Sequence, residues 1–318
     1  MIKISNKLNI VEKNIRGLWN HEPYVKKYKN AKYNSKNPRL DHILIRLKTV
    51  NKLLKQNVNK NSSILELGFG AGQSASLFLK EGYNYTGVDI SKSLVNFAKF
   101  KNKKFVKNKK AFFYASSMDK KLKFKSKQFD VVIIIGALQY VMNLKGCMNE
   151  IRRVLKKRGK LILAQSNSFS IEQIISPRNF VKFLMIVLFK ENFTYSYSTT
   201  LKSTIIENTG LKKFLRVNGN EKWLNSKIFT SGDYNPWNFK GKRRILGYDR
   251  IKQILKNNKF DFITYSFGGV FFNSNKNILL NIIFYILNIL LNGLYKFKIF
   301  NFILNRIGSS NIFVRKKY

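Results

Sequence analysis

At 318 residues the chain has room for one large domain or for a core with appendages, and 44% hydrophobic residues are ample for that core. One cysteine, Cys147, and two histidines, His21 and His42, exclude an intramolecular disulfide, a cysteine zinc cluster and a histidine metal site, so no metal and a reducing, cytoplasmic setting are expected. With 60 Lys and Arg against 16 Asp and Glu the formal net charge is +44. Such a field attracts anionic partners, either nucleic acid or an acidic membrane. The joint abundance of Lys, Asn, Ile, Phe and Tyr fits an AT-rich genome, which explains part of the lysine excess but not the scarcity of acids.

In chain order, residues 1–57 read as a mostly helical N-terminal cap carrying Trp19, Tyr24, Tyr28 and Tyr33; Met1 to Asn20 lacks the continuous apolar core of a secretory leader. Ile64 to Leu67 is a short apolar run ending in glycines, the pattern of a buried parallel strand entering a tight turn. Gly68, Gly70 and Gly72 alternate, which lets backbone approach a ligand where a Cβ would collide. Gln73 to Lys80 supplies a helix with Ala75, Leu77, Phe78 and Leu79, and a second strand from Tyr85 to Val88 ends at Asp89. Strand, glycine turn, helix, strand and acid form a nucleoside-binding half-unit in which Asp89 accepts both ribose hydroxyls. Lys99, Lys101, Lys103, Lys104, Lys107, Lys109 and Lys110 cluster before the strand Ala111 to Ala115, as either a docking patch or a solvated helix end. Gln128 to Ile135 reads as a fourth strand reaching Gly136, and Glu150 to Leu163 as helix, surface turn and fifth strand.

The glycine spacing selects the ligand. A dinucleotide site wants G-x-G-x-x-G for its pyrophosphate, whereas the third position here is Gln73 and the loop is G-x-G-x-G behind Glu66. This loop, together with Phe129-Asp130, the turn Leu138-Gln139-Tyr140 and the run Glu150-Ile151-Arg152-Arg153-Val154-Leu155, resembles the class I S-adenosylmethionine-dependent methyltransferases of the small-molecule and lipid branch. It covers residues 58–167, about a third of the chain, and departs from the family where Lys157-Arg158 replace the usual Pro-Gly. The resemblance implies S-adenosylmethionine as cofactor. It places Glu66, Gly68, Gly70, Gly72, Asp89, Ile90 and Gly136 around it, with Ser117 and Met118 at the adenine and Asp119 as a substitute acceptor if the loop is shifted. Relatives often fold the N-terminal segment over the cofactor and carry histidine where this chain has Tyr140, so Tyr140, His21 and His42 are the catalytic candidates by residue type and place. A phenol with pKa near 10 is a poor base, and Tyr140 reads better as a donor that positions substrate, or as packing under a lid.

Residues 168–242 read as a substrate insertion containing the apolar stretch Phe180 to Phe189, either a lid over the active site or a core-facing helix. Residues 243–318 complete the sheet, with a sixth strand from Phe260 to Phe272 and a seventh, antiparallel to it, from Ser309 to Arg315. Between them lies an apolar excursion, residues 278–304, uncharged from Ile278 to Tyr295. Because both flanking strands belong to one sheet, the chain must leave and return on the same side of a bilayer. An in-plane helix or re-entrant hairpin satisfies this, as does a helix buried within the fold, and a single crossing does not.

The expected fold is α/β, a Rossmann-like seven-stranded mixed sheet with helices on both faces and an antiparallel edge hairpin. The expected function is methyl transfer to a small or membrane-associated acceptor (a prenylated ring, a lipid or a lipid-linked sugar) by a protein peripheral on an anionic membrane. An RNA methyltransferase is the alternative suggested by charge, against which stands Ile135-Gly136-Ala137-Leu138 in place of an Asn-Pro-Pro-Tyr-type motif. A non-catalytic binding protein is disfavoured because Glu66, the glycines and Asp89 are intact.

Overall fold

The computed structural model describes residues 12, 16, 17, 19, 20, 25, 41–167, 170, 193–195, 242–244, 246–266 and 278–315. The expected insertion lid Phe180 to Phe189 and His21 lie outside the described residues.

The main sheet contains β1 (Ser63–Leu67), β2 (Asn84–Asp89), β3 (Ala111–Ala115), β4 (Phe129–Ile135), β5 (Leu155–Ser166), β8 (Phe262–Ser266) and β9 (Ser310–Arg315). Two short strands, β6 (Phe193–Tyr195) and β7 (Lys242–Arg244), pair separately as an antiparallel ribbon. The spatial order is β3-β2-β1-β4-β5-β9-β8. The first five strands run parallel, and β9 runs antiparallel to both β5 and β8. This is the expected seven-stranded mixed sheet with its antiparallel edge. Strand order reverses between β1 and β4, and ligands of open α/β sheets bind outside the carboxyl ends of the strands at such a switch point.

Helices α1 (Asp41–Asn57), α2 (Gln73–Lys80), α3 (Lys92–Lys101), α4 (Lys103–Lys107), α5 (Leu144–Val154) and α6 (Tyr248–Asn257) accompany the sheet, and a 3-10 turn spans Leu138–Tyr140. The period-two alternation of the strands divides the core. Leu65, Leu67, Val132, Ile134, Leu161 and Leu163 pack with Met148 and Ile151 of α5 and with Ile251 and Leu255 of α6. The intervening Ile64, Val131, Ile133, Ile162 and Ala164 pack on the other face, with Leu47, Val50 and Leu54 of α1 and Phe78 and Leu79 of α2. The near-continuous apolar runs of β1 and β4 are therefore those of strands covered on both faces.

Two sequence motifs prove to be scaffolding. Asp130 accepts the Ser63 N–H at 2.9 Å and the Ser63 hydroxyl at 2.7 Å, and Lys156 donates to it at 2.8 Å, which locks β4 to the start of β1 far from the carboxyl ends. Those donors and the Lys156 charge hold its carboxyl below the usual range despite partial burial. Glu150 accepts the Leu122 N–H at 2.8 Å, while Arg153 donates to the carbonyls of Leu122 and Phe124 and pairs with Glu150. The acid and base of α5 thus clamp the loop that follows β3. The expected surface turn at Lys157-Arg158 is instead extended chain continuous with β5, absorbed by a register irregularity opposite Phe129 to Val131.

Beyond the sheet, α7 (Ile278–Leu294) and α8 (Lys298–Ile307) form a helical hairpin that returns into β9. Among the described residues, no helix is long and apolar enough to cross a membrane.

Candidate functional site

A pocket opens at the carboxyl ends of β1, β2 and β4, lined by Gly68, Phe69, Gly70, Asp89, Ile90, Ser117, Met118, Gly136 and Tyr140 among others. Each strand delivers one part of it. The turn after β1 holds Gly68 at φ +77° and Gly70 at φ +59°, left-handed conformations that a side chain resists. The two glycines differ in what surrounds them. A Cβ on Gly68 would collide with the Ala137 side chain, so this glycine lets the β1 and β4 turns touch. Among the described residues, a Cβ on Gly70 would meet no atom within 4 Å beyond its chain neighbours. Protein packing therefore does not explain its small size, and the space it keeps open belongs to the pocket.

Asp89 ends β2 and is buried. One carboxylate oxygen accepts the Gly70 N–H at 2.8 Å and the other the Ser91 N–H at 2.9 Å. The Ile90 N–H also favours the charged carboxylate, and these backbone bonds fix its orientation beside the pocket. Burial pushes its pKa from 3.8 up to about 6, against the backbone donors that favour the charged form. Glu66 lines the same pocket but faces α2. It accepts the Ser74 hydroxyl at 2.7 Å and the Tyr85 hydroxyl at 2.8 Å, tying β1, β2 and α2 together. Burial raises it to about 7, partly offset by those two donors.

The adenine expectation falls on the clamped loop after β3. Ser117 is buried and its hydroxyl accepts the Asp119 N–H at 3.1 Å, leaving its own proton to donate; Met118 lies beside it on the pocket wall. Asp119 also lines the pocket, with its carboxylate accepting the Asn143 N–H at 2.7 Å. Gly72 is not among the pocket-lining residues: its Cβ position lies 2.9 Å from the Ala98 side chain, so its role in the structure is to seat the loop on α3. Tyr140, on the 3-10 turn, forms an edge-on pair with Trp19 at 5.6 Å, and both rings line the pocket. The Trp19 carbonyl accepts the Ser91 hydroxyl at 2.7 Å, which ties the N-terminal segment to the start of α3. His42 lies on α1, where the backbone alone is described.

Sequence reasoning missed Arg46. This buried guanidinium of α1 is the cation lining the pocket among the described residues, and it donates to the Ser166 hydroxyl at 2.9 Å beside Gly136. The only sequence signal was one arginine on the apolar face of a helix. A long apolar stem supporting a charged head at a site is a familiar use of that residue.

Residues 65–163 match the family described as a methyltransferase domain. Demethylmenaquinone methyltransferase of Tropheryma whipplei is 28% identical over 124 residues, 39% of this chain and 46% of that protein. Ubiquinone biosynthesis O-methyltransferase of Pelagibacter ubique is 32% identical over 108 residues, 34% of this chain and 43% of that protein. The chain thus spans about half the length of the curated relatives it matches. A crystal structure of a Pyrococcus horikoshii protein superposes with a TM-score of 0.50 at 17% identity, covering 93% of this chain and 99% of that one, which supports the fold.

Proposed function

We propose that this chain, whose residues 65–163 match a methyltransferase domain, binds S-adenosylmethionine and transfers its methyl group to a small acceptor held at a membrane. A prenylated ring, a lipid or a lipid-linked sugar fits this description. The observation that carries the reading is the open space above Gly70 directly beside the oriented carboxylate of Asp89. That pairing fits a nucleoside whose sugar bonds the acid and whose chain crosses the glycine loop. The two quinone-pathway relatives support an apolar acceptor.

In this reading Asp89 accepts the ribose hydroxyls, Ser117 and Met118 hold the adenine, and Arg46 binds the carboxylate of the amino-acid end. Bound there, the cofactor supplies an electrophilic methyl on a sulfonium, which leaves as a neutral thioether. The protein's own share is alignment and exclusion of water, and orientation supplies up to roughly 7–11 kcal/mol of a barrier in ideal cases. Tyr140 and Trp19 form the wall from which an acceptor approaches, with the Tyr140 hydroxyl available to position it.

The test is methyl transfer from radiolabelled S-adenosylmethionine into a membrane lipid extract. Label in an organic-soluble product is expected. Label confined to RNA and removed by nuclease would support the alternative drawn from the exposed lysines of α3 and α4, and no transfer to any fraction would refute catalysis.

A further inference from the structure

The hairpin α7–α8 presents an apolar surface that the described residues leave exposed. Ile282, Ile286 and Leu290 on α7, at helical spacings of four, are exposed, Leu290 at 60%, with Ile283 and Leu287 beside them. On α8, Ile299 is 69% exposed and Phe302 60% exposed. Phe297 stands 60% exposed between the exposed Lys296 and Lys298 at the turn joining the helices. Side chains at this density on one surface are rare on soluble monomers.

The hairpin is nevertheless built, not frayed. Leu304 is buried against Leu291, Tyr295 and Ile307, and the Tyr295 hydroxyl donates to Asn305 at 2.9 Å. Asn167, at the end of β5, donates to the carbonyls of Arg306 and Gly308 at 2.7 and 2.8 Å, and Arg306 pairs with Asp249 of α6 at 2.7 Å. The base is fixed to the core, and the outer faces are left open.

We propose that this hairpin seats the protein on an anionic lipid bilayer, lying in the interface without crossing. Charge decides the occupant. Neither helix contains an acidic residue, and a cationic pair flanks the tip. A second copy of a chain with 60 bases and 16 acids would bring like charge against like, whereas a bilayer offers acyl chains to the isoleucines and phosphates to Lys296 and Lys298. Length decides the orientation. The 17 residues of α7 rise only about 25 Å, short of a hydrocarbon core of about 30 Å, and the chain must return to β9 beside β8. This deepens, and rests on, the reading of an acceptor held at a membrane.

The test is flotation of the full chain with vesicles of equimolar phosphatidylcholine and phosphatidylglycerol, and with vesicles of phosphatidylcholine alone. Binding at least tenfold stronger to the anionic vesicles is expected, with a fraction surviving 1 M salt. The triple variant I282S/I283S/L287S should lose the salt-resistant fraction and keep its melting temperature and its binding of S-adenosylhomocysteine. Should that variant melt early, Phe297→Ser at the exposed tip gives the same readout with one residue. Unchanged vesicle binding by both variants, binding abolished entirely by salt, or concentration-dependent dimers in place of vesicle binding each overturns the proposal. Vesicle binding without methyl transfer to lipid supports the docking and removes the membrane-held acceptor; methyl transfer to a lipid acceptor without vesicle binding removes the docking alone.

Discussion

Replacing Gly70 and Gly68 by alanine separates what the glycine loop does for a ligand from what it does for the fold. Both residues sit at positive φ, so each alanine incurs the left-handed penalty of roughly 1–2 kcal/mol. For Gly70 that is the whole cost, because the added methyl meets no atom of the described residues within 4 Å beyond its chain neighbours. For Gly68 the methyl also runs into Ala137, and overpacking adds about 1–3 kcal/mol. At about 2–4 °C per kcal/mol in a sizeable domain, Gly70→Ala should melt only a few degrees early and Gly68→Ala roughly twice as far. Binding should order them the other way. Calorimetric titration with S-adenosylhomocysteine should show Gly70→Ala weakened at least tenfold and Gly70→Val without measurable affinity, while whatever fraction of Gly68→Ala remains folded binds. A folded Gly70→Val that binds with native affinity would falsify the placement of the ligand over this loop.

Asp89→Ala should weaken cofactor binding by roughly 1.5–3 kcal/mol, the worth of hydrogen bonds to a charged group, read by the same titration; unchanged affinity would remove Asp89 from the site. Arg46→Met keeps the apolar stem and removes the charge, so a loss of about tenfold or more is expected for S-adenosylhomocysteine and little for adenosine, which lacks the carboxylate. For the unliganded protein, Asp89 and Glu66 have folded pKa values raised from 3.8 to about 6 and from 4.5 to about 7, so their contribution favours folding at low pH and is lost as pH rises from the lower value of each to the higher. Melting temperature should therefore gain a component that declines between about pH 4 and 7 and is flat above, and Glu66→Gln should flatten it; an unaltered profile in that variant would show that Glu66 is already ionised at little cost. Binding requires the Asp89 carboxylate, so cofactor affinity should fall towards tenfold per pH unit below about pH 6, measured by titration across that range.

Much of this was legible in the sequence because parallel strands write themselves as apolar runs and the glycine turn as a spacing. Ala111–Ala115 and Gln73–Lys80 have the bounds their patterns predict. The sixth strand is expected from Phe260 to Phe272; the structure assigns Phe262–Ser266, and the expected part beyond Ser266 lies outside the described residues. The turn expected at Lys157 and Arg158 came from the Pro-Gly that the resembled family carries there, whereas their backbone is extended along β5. Arg46 was hidden because its value lies in a tertiary juxtaposition: α1 precedes the glycine loop by a full element, and nothing local ties residue 46 to residues 136 and 166.

The same limit divides the motif residues by what they do. Glu66 and Asp89 both follow the pattern of a cofactor loop, yet Glu66 has protein hydroxyls for partners while Asp89 has backbone N–H groups and lines the pocket. A carboxylate whose burial costs stability and whose protein partners only orient it is held ready for something else. Burial raises the Asp89 pKa against the backbone donors that orient it. The cofactor reading is therefore carried by geometry: an oriented carboxylate at the end of β2 directly beside the open space over Gly70.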